Sequence, residues 1–189
     1  MRRSFAVCLS LPVAVFVATG CTTAVSPFVH IKPDYTELPE GALRELAGEI
    51  EQAVREGERE PKIADRDGLV VSDDLVMQAI RTRALRSELI GQFLDDGYGR
   101  ELRNGLIEVA GGKEYKRATT GRKRNRNALL IMSENNDRWT IYEGMVKASH
   151  LPRRSLSAIQ ETFYAVRVEA MSPGQRYEDA SGQTAVKGR

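Results

Sequence analysis

Apolar residues recur every three or four positions along two stretches of this sequence. In the first stretch the apolar stripe comprises Leu43, Leu46, Ala47, Ile50 and Val54. In the second it comprises Leu75, Val76, Ala79, Ile80, Ile90, Phe93 and Leu94. This spacing is typical of amphipathic helices, each of which must bury one face against another element. The chain is therefore expected to fold around packed helices.

The remaining elements follow from caps, glycines and prolines. Ser72, Asp73 and Asp74 are expected to cap the second helix, and Gly97 to end it. A central helix is predicted over about 127–149 and a last helix over about 154–170, with Pro152 interrupting them. Between the second and central helices, Leu106, Ile107 and Val109 favour a short strand or an extended packed segment. We expect a mostly α fold of about four helices with one short extended glycine-rich segment.

The N-terminus has the features of a secretory signal. Arg2 and Arg3 precede a short apolar stretch, and small residues then lead into Cys21. "VATGC" is similar to a bacterial lipobox, which predicts a signal peptide over 1–20 and lipidation of Cys21. A plain cleaved signal beside a chance cysteine is the alternative. Thr22 in place of aspartate favours the outer membrane over the inner one.

Removal of this signal changes the charge and the cysteine count. The chain has 28 basic and 26 acidic residues, and loss of Arg2 and Arg3 leaves a formally neutral protein. Cys8 leaves with the signal and Cys21 is the expected lipid site, so no thiol remains for a disulfide, a metal or a nucleophile. A neutral exported protein is not expected to bind nucleic acid. Residues 21–36 are predicted to be a flexible tether, 37–70 a helix and linker, 71–183 the main domain and 184–189 a frayed tail.

The sequence favours neither catalysis nor a metal or cofactor site. The only histidines are His30, in the tether, and His150, at a predicted helix end where a capping or exposed role is expected. The glycines of "GYGRELRNG" lack the spacing of a dinucleotide or phosphate loop. We therefore predict a non-enzymatic protein without a cofactor, a metal ligand or a catalytic residue.

A basic segment precedes the central helix. Its cations are Lys113, Lys116, Arg117, Arg122, Lys123, Arg124 and Arg126, against one acid, Glu114. Such a cluster can contact anionic lipid head groups. A solvated, turn-containing loop is the alternative, since runs of charge are common on protein surfaces.

One stripe of the central helix mixes an amide, a guanidinium and aromatic side chains. Asn135, Arg138 and Tyr142 lie within about 60° of one another around the helix, with Trp139 beside them. Polar groups on a packed face need hydrogen-bond partners, so Arg138 is expected to pair with Glu101 in the glycine-rich segment. Trp139 and Tyr142 are expected in the core. The alternative is a shallow groove that binds a peptide or a lipid.

These residues carry a resemblance to the YdbL family of bacterial envelope proteins, a domain of unknown function. Its pattern of glycine, glutamate and glycine at four-residue spacing matches Gly97, Glu101 and Gly105. Its central-helix pattern matches Asn135, Arg138 and Tyr142, and its closing turn matches Pro173 and Gly174. The resemblance spans about residues 75–183. Arg100 departs from the pattern where a glycine is common, and Gln183 departs from it where a tryptophan is common.

The resemblance implies an exported protein that acts beside lipid-transport components of the cell envelope. The expected function is that of a lipid-anchored, periplasm-facing protein whose helical domain binds or modulates a partner protein. A carrier of a small ligand or lipid, with an apolar pocket near Trp139, is the alternative from another class. An enzyme acting on cell-wall material ranks third.

Overall fold

A computed structural model describes residues 38–188, and the predicted signal peptide, Cys21 and the tether up to residue 36 lie outside this range. The described residues form five helices and four short strands. In chain order these are α1 (Glu40–Glu56), α2 (Asp74–Asp95), β1 (Gly99–Glu101), β2 (Ile107–Val109), α3 (Lys113–Ala118), α4 (Gly121–Ala148), α5 (Ser155–Ala170), β3 (Arg176–Glu178) and β4 (Thr184–Val186). The prediction of a mostly helical fold is confirmed.

The ends of α1 and α2 follow the expected local chemistry. Gly57 ends α1 in a left-handed conformation at φ 70°, and Gly97 follows α2 at φ 69°. The Asp73 carboxylate accepts hydrogen bonds from the backbone N–H groups of Leu75 and Val76, at 3.0 and 3.2 Å. Leu75 was expected on the buried stripe, but its side chain is 70% exposed. In this first turn Val76 faces the core and is fully buried, whereas Leu75, one residue or about 100° earlier around the helix, faces outward.

The sheet is more extensive than the sequence indicated. Its strand order is β2-β1-β3-β4, with β1 antiparallel to β2, β3 antiparallel to β4, and β1 parallel to β3 through Arg100 opposite Arg176. The expectation of a frayed tail over 184–189 was wrong for residues 184–186, which form β4. The Asp179 carboxylate holds the β3–β4 turn by accepting from the N–H groups of Ser181 and Gln183.

The basic segment is helical instead of a turn-containing loop. It forms α3 and the first turns of α4, which therefore begins six residues before the predicted start at 127. The hydroxyl of Thr120 caps α4 by accepting from the N–H of Lys123 at 3.2 Å. The Arg124 side chain donates to the carbonyl oxygens of Lys116 and Thr119 and so joins the two helices. Lysine and arginine are good helix formers, and the cap determines where α4 starts.

The core lies among α1, α2, α4 and α5. Its largest fully buried apolar side chains include Leu43, Leu46, Ile80, Ile141, Met145 and Phe163. Helix α4 packs mainly on α2, and a side chain at Gly144 would come within 2.4 Å of Val76. Helix α1 belongs to the same core as the later helices, so the described part of the predicted helix and linker, residues 38–70, packs with the main domain. Within residues 38–188, no helix has both the length and the apolarity needed to cross a membrane.

Candidate functional site

Six charged side chains are buried at the centre of the domain. They are contributed by α1, α2, β1, α4 and α5, and they are Glu51, Arg83, Glu101, Glu134, Arg138 and Arg167. None is more than 8% exposed. We call this group the charge ring, because its ion pairs form a closed cycle.

One half of the charge ring is built around Arg83. Its two terminal nitrogens donate to the two carboxylate oxygens of Glu51, each at 2.9 Å. Its Nε donates to Oε1 of Glu134 at 2.9 Å. The same Glu134 oxygen accepts from Nε of Arg138 at 2.8 Å, one helical turn further along α4. Arg83 therefore connects α1 to α4 through two carboxylates.

The other half closes the cycle through β1. The two terminal nitrogens of Arg138 donate parallel hydrogen bonds of 2.7 and 2.9 Å to the two carboxylate oxygens of Glu101. Arg167 donates from Nε to Glu101 at 3.0 Å and from Nη1 to Glu51 at 2.8 Å. Within the ring, each arginine thus contacts two glutamates and each glutamate two arginines, and Glu134 also lies 3.4 Å from Arg86 outside the ring. Three positive and three negative charges cancel, which is the condition for holding ions in an apolar interior.

The charge ring keeps all of its members ionised at neutral pH. Burial by itself would raise the pKa of Glu134, but Arg83 and Arg138 lower it from 4.5 to about 2. Burial opposes ionisation of Glu51 and Glu101 as well, and the neighbouring arginines again hold their pKa values below the usual range. The pKa of Arg138 is raised, because Glu101 and Glu134 outweigh the effect of its burial. A general acid or base works best with a pKa near the working pH, so this chemistry favours a structural role.

The carbonyl oxygen of Gly105 extends the network into the glycine-rich segment. It accepts from the Tyr142 hydroxyl at 2.8 Å, from Arg167 at 2.7 Å and from Arg138 at 3.3 Å. Gly105 has φ 79°, and a Cβ here would lie 3.0 Å from the aromatic ring of Tyr142. A glycine is required both by this conformation and by the close approach.

Asn135 attaches α4 to the sheet. Its amide nitrogen donates to the carbonyl of Ile107 at 2.8 Å, and its amide oxygen accepts from the N–H of the same residue at 2.9 Å. The side chain therefore pairs with β2 as a neighbouring strand would. Together with Arg138 and Tyr142, it clamps α4 onto the glycine-rich segment. The expected contact between Arg138 and Glu101 is present.

The placement of Trp139 was wrong. Its side chain is 39% exposed, whereas Arg138 and Tyr142 are 1% and 0% exposed. One residue along a helix turns the side chain by about 100°, which carries Trp139 from the buried stripe to the outer face of α4. Its neighbours at helical spacing on that face include Met132, which is 60% exposed.

The other motif residues lie outside the charge ring. Gly97 follows α2, and a Cβ there would lie 3.8 Å from the Arg176 side chain. Pro173 and Gly174 form the turn between α5 and β3, where Gly174 has φ 94° and its N–H donates to the carbonyl of Lys187. These positions shape the connections at the two ends of the sheet.

Sequence reasoning missed four members of the charge ring. Glu51, Arg83, Glu134 and Arg167 were not singled out, although each lies on the buried stripe of its helix. Glu51 directly follows Ile50, and Arg83 lies one turn beyond Ala79 and Ile80. A charged residue at a helix position where the apolar periodicity predicts a buried side chain is the signal that could have identified them.

A small cavity lies over the charge ring. Its volume is about 220 Å³, and five of the six ring members line it together with apolar side chains that include Val54, Ile90, Leu94 and Met171. Pockets for small molecules usually measure about 300–1,000 Å³, so this space is small for a lipid. Within residues 38–188, no group of three or more His, Cys, Asp or Glu side chains is arranged to hold a metal ion.

Comparisons with known proteins do not identify a relative. No family model matches the chain, and neither a curated protein nor a solved structure matches it. The resemblance to the YdbL family accordingly remains a prediction carried by Gly97, Glu101, Gly105, Asn135, Arg138, Tyr142, Pro173 and Gly174.

Proposed function

We propose that this protein is a lipid-anchored, non-enzymatic envelope protein that binds a partner protein through the outer face of α4. The lipobox-like "VATGC" supports the anchor at Cys21. The resemblance to the YdbL family supports a place beside lipid-transport components of the envelope. Both supports come from the sequence, whereas the choice of binding surface comes from the fold.

The exposed aromatic face of α4 is the observation that carries the proposal. Met132, Trp139 and Val146 recur every seven residues and therefore lie along one stripe of the helix. On this stripe Met132 is 60% exposed and Trp139, the single tryptophan of the chain, is 39% exposed, whereas Val146 is partly buried against the core. Tryptophan and methionine are enriched at protein interfaces, where they bury a large area against a partner.

A groove continues this face at the corner between α4 and α5. Its volume is about 470 Å³, and Val146, Leu151 and Leu156 form its apolar part. Glu143, Lys147 and His150 provide polar groups at the same groove. An apolar floor with a polar rim is the usual anatomy of a protein–protein contact.

The ligand-carrier alternative is less well supported. The cavity with both polar and apolar walls lies over the charge ring, and its 220 Å³ is too small for a phospholipid. The groove near Val146 is open, so it would leave a lipid chain in contact with water. Native mass spectrometry of detergent-free protein separates the two functions, because a co-purifying lipid would favour the carrier.

Photo-cross-linking in living cells tests the proposed interface. A photoreactive amino acid at position 132 or 139 should give one discrete adduct with an envelope protein. The same amino acid at position 62, where Lys62 is exposed in the linker after α1, is the matched control and should give no such adduct. Equal labelling from all three positions, or none from positions 132 and 139, would contradict the proposed surface.

The anchor needs its own test. Cys21→Ser should release the protein from the membrane fraction, while partner cross-linking from position 139 should survive in detergent extracts. Unchanged membrane association of Cys21→Ser would count against lipidation without affecting the proposed interface.

A further inference from the structure

Charge is distributed very unevenly over the domain. Residues 38–188 contain 24 basic and 24 acidic residues. Residues 113–126 hold seven of the basic and one of the acidic residues, so this segment carries a formal charge of +6 and the rest of the domain −6. A neutral domain with this asymmetry is a strong electric dipole, and its field orients it at a charged surface.

Most of these cations are available for an external partner. We call the seven side chains at Lys113, Lys116, Arg117, Arg122, Lys123, Arg124 and Arg126 the basic surface. Lys123 lies 3.5 Å from Asp96 and 4.7 Å from the centre of the Tyr98 aromatic ring, and Arg124 is bound to backbone carbonyls. The other five are exposed, and their side chains make no hydrogen bond or ion pair within the part of the chain that the structure describes.

Exposed leucines lie next to the basic surface. Arg122, Arg126 and Leu129 follow one another at four- and three-residue spacing and share a stripe of α4. A groove of about 420 Å³ beside this stripe is lined by Lys123 and Arg126 together with Leu89, Phe93 and Leu130. Leu89 and Leu129 are 54% and 60% exposed, and Leu85, one turn before Leu89 on α2, is 64% exposed. Cations next to exposed leucines are the combination that binds the boundary between lipid head groups and acyl chains.

We propose that the basic surface and its leucines dock the domain onto an anionic phospholipid bilayer. The cations contact lipid phosphates, and Leu85, Leu89 and Leu129 enter the boundary with the acyl chains. A merely solvated charged face accounts for the cations but not for the exposed leucines beside them. Docking leaves Trp139 accessible, because it lies 17 residues, or about 25 Å, along α4 from Arg122. Met132 is three residues from Leu129 and lies at the border between the two surfaces.

Docking of the basic surface on the bilayer does not depend on a lipid anchor at Cys21, but it is compatible with one. Cys21 and Leu38 are 17 residues apart, and a fully extended chain of that length spans at most about 60 Å. Helix α4 has 28 residues and is about 42 Å long. An acyl group on Cys21 therefore allows either end of the domain to reach the bilayer.

A fluorescent label beside the groove tests this docking. The full chain, carrying Gln92→Cys labelled with a dye, is reconstituted on vesicles that contain a head-group-region quencher. If mass spectrometry finds Cys21 without an acyl group, Cys21→Ser is added so that the dye reacts at position 92 alone. Gln92 is exposed and lines the groove, so the substitution leaves the leucines intact. We expect strong quenching on vesicles with about one-third phosphatidylglycerol and little on pure phosphatidylcholine, with loss of quenching at about 0.5 M salt. A label at Lys147→Cys, near the other end of α4, should stay unquenched on both.

Charge variants provide the matched control. Arg117→Gln, Arg122→Gln and Arg126→Gln together should lower the docking equilibrium constant by about 100-fold, since each cation contributes about fivefold. Arg59→Gln, Lys62→Gln and Arg153→Gln remove the same charge from exposed positions elsewhere and should leave quenching unchanged. Equal quenching of the two triple variants, or equal quenching on both vesicle types, would overturn the proposal.

Flotation of the unlabelled protein with phosphatidylcholine vesicles reports on the acyl anchor alone. Protein that floats only with the anionic vesicles, and is quenched there, would support the dock while counting against lipidation.

Discussion

The charge ring and the basic surface both concentrate arginines, yet they hold them in opposite ways. In the charge ring, three arginines face three glutamates, all six are buried, and every charge has two oppositely charged partners within the ring. On the basic surface, five cations are exposed and have no side-chain partner within residues 38–188. The same residue type therefore stabilises the fold in one region and remains available for binding in the other.

The largest difference between the charge ring and the basic surface is expected in how much a substitution in each lowers the free energy of unfolding. Glu101→Gln keeps the side-chain volume but leaves Arg138 and Arg167 without their shared carboxylate. Removal of one partner from a buried ion pair costs about 3–5 kcal/mol, which we expect in the free energy of unfolding from urea titration. Arg126→Gln on the basic surface is the control and should change that free energy by less than about 0.5 kcal/mol. Similar losses in both variants would remove the distinction between the two regions.

The pH dependence of stability tests the ionisation of the charge ring. Glu134 has a pKa of about 2 in the folded protein against 4.5 ordinarily, so it stabilises the fold above about pH 4.5. This contribution, on the order of 3 kcal/mol, is lost as the pH falls through the folded-state value. Urea titrations between pH 7 and pH 2 should show flat stability and then a steep fall. Glu134→Gln should flatten the acidic part of the curve, whereas Glu88→Gln at an exposed position should not.

A smaller loss of unfolding free energy is expected from a substitution at Gly105, where the glycine-rich segment contacts α4. Gly105→Ala places a Cβ at φ 79° and 3.0 Å from Tyr142, which should cost about 1–3 kcal/mol of unfolding free energy. Gly111→Ala is the matched control, because a Cβ there meets nothing closer than 4.0 Å. If the two variants unfold at the same urea concentration, the close packing at Gly105 does not contribute to stability.

The smallest change in unfolding free energy is expected from a substitution on the outer face of α4. Trp139→Ala should lower the free energy of unfolding by less than about 1 kcal/mol, since the side chain is substantially exposed. With the photoreactive amino acid at position 132, the variant should lose the partner adduct while retaining its thermal transition. A loss of several kcal/mol would place Trp139 with the core instead of with the binding surface.

The parts of the fold that depend on nearby residues were predictable from the sequence. Periodicity and caps gave α1 and α2, and the requirement to satisfy buried polar groups led from Arg138 to Glu101. Trp139 lies about 40° beyond Asn135 around the helix, and the buried face of α4 ends before that angle.

The remaining features depend on which elements meet in space. The charge ring joins residues from five elements, and no local pattern shows that Glu51 and Arg167 will approach across 116 positions. The parallel pairing of Arg100 with Arg176 also joins residues far apart in sequence, which is why β3 and β4 were not predicted. Cations of the basic segment were recognised, but their helical placement required the Thr120 cap and the Arg124 contacts.

We infer that the charge ring locks α4 onto the domain, and a double-mutant cycle between Arg138 and Glu101 measures this coupling. Unfolding free energies of Arg138→Met, Glu101→Gln, the double variant and the parent protein give the coupling energy between the two side chains. The bidentate, fully buried pair predicts a coupling of at least about 2 kcal/mol. A coupling below about 0.5 kcal/mol would contradict the claim.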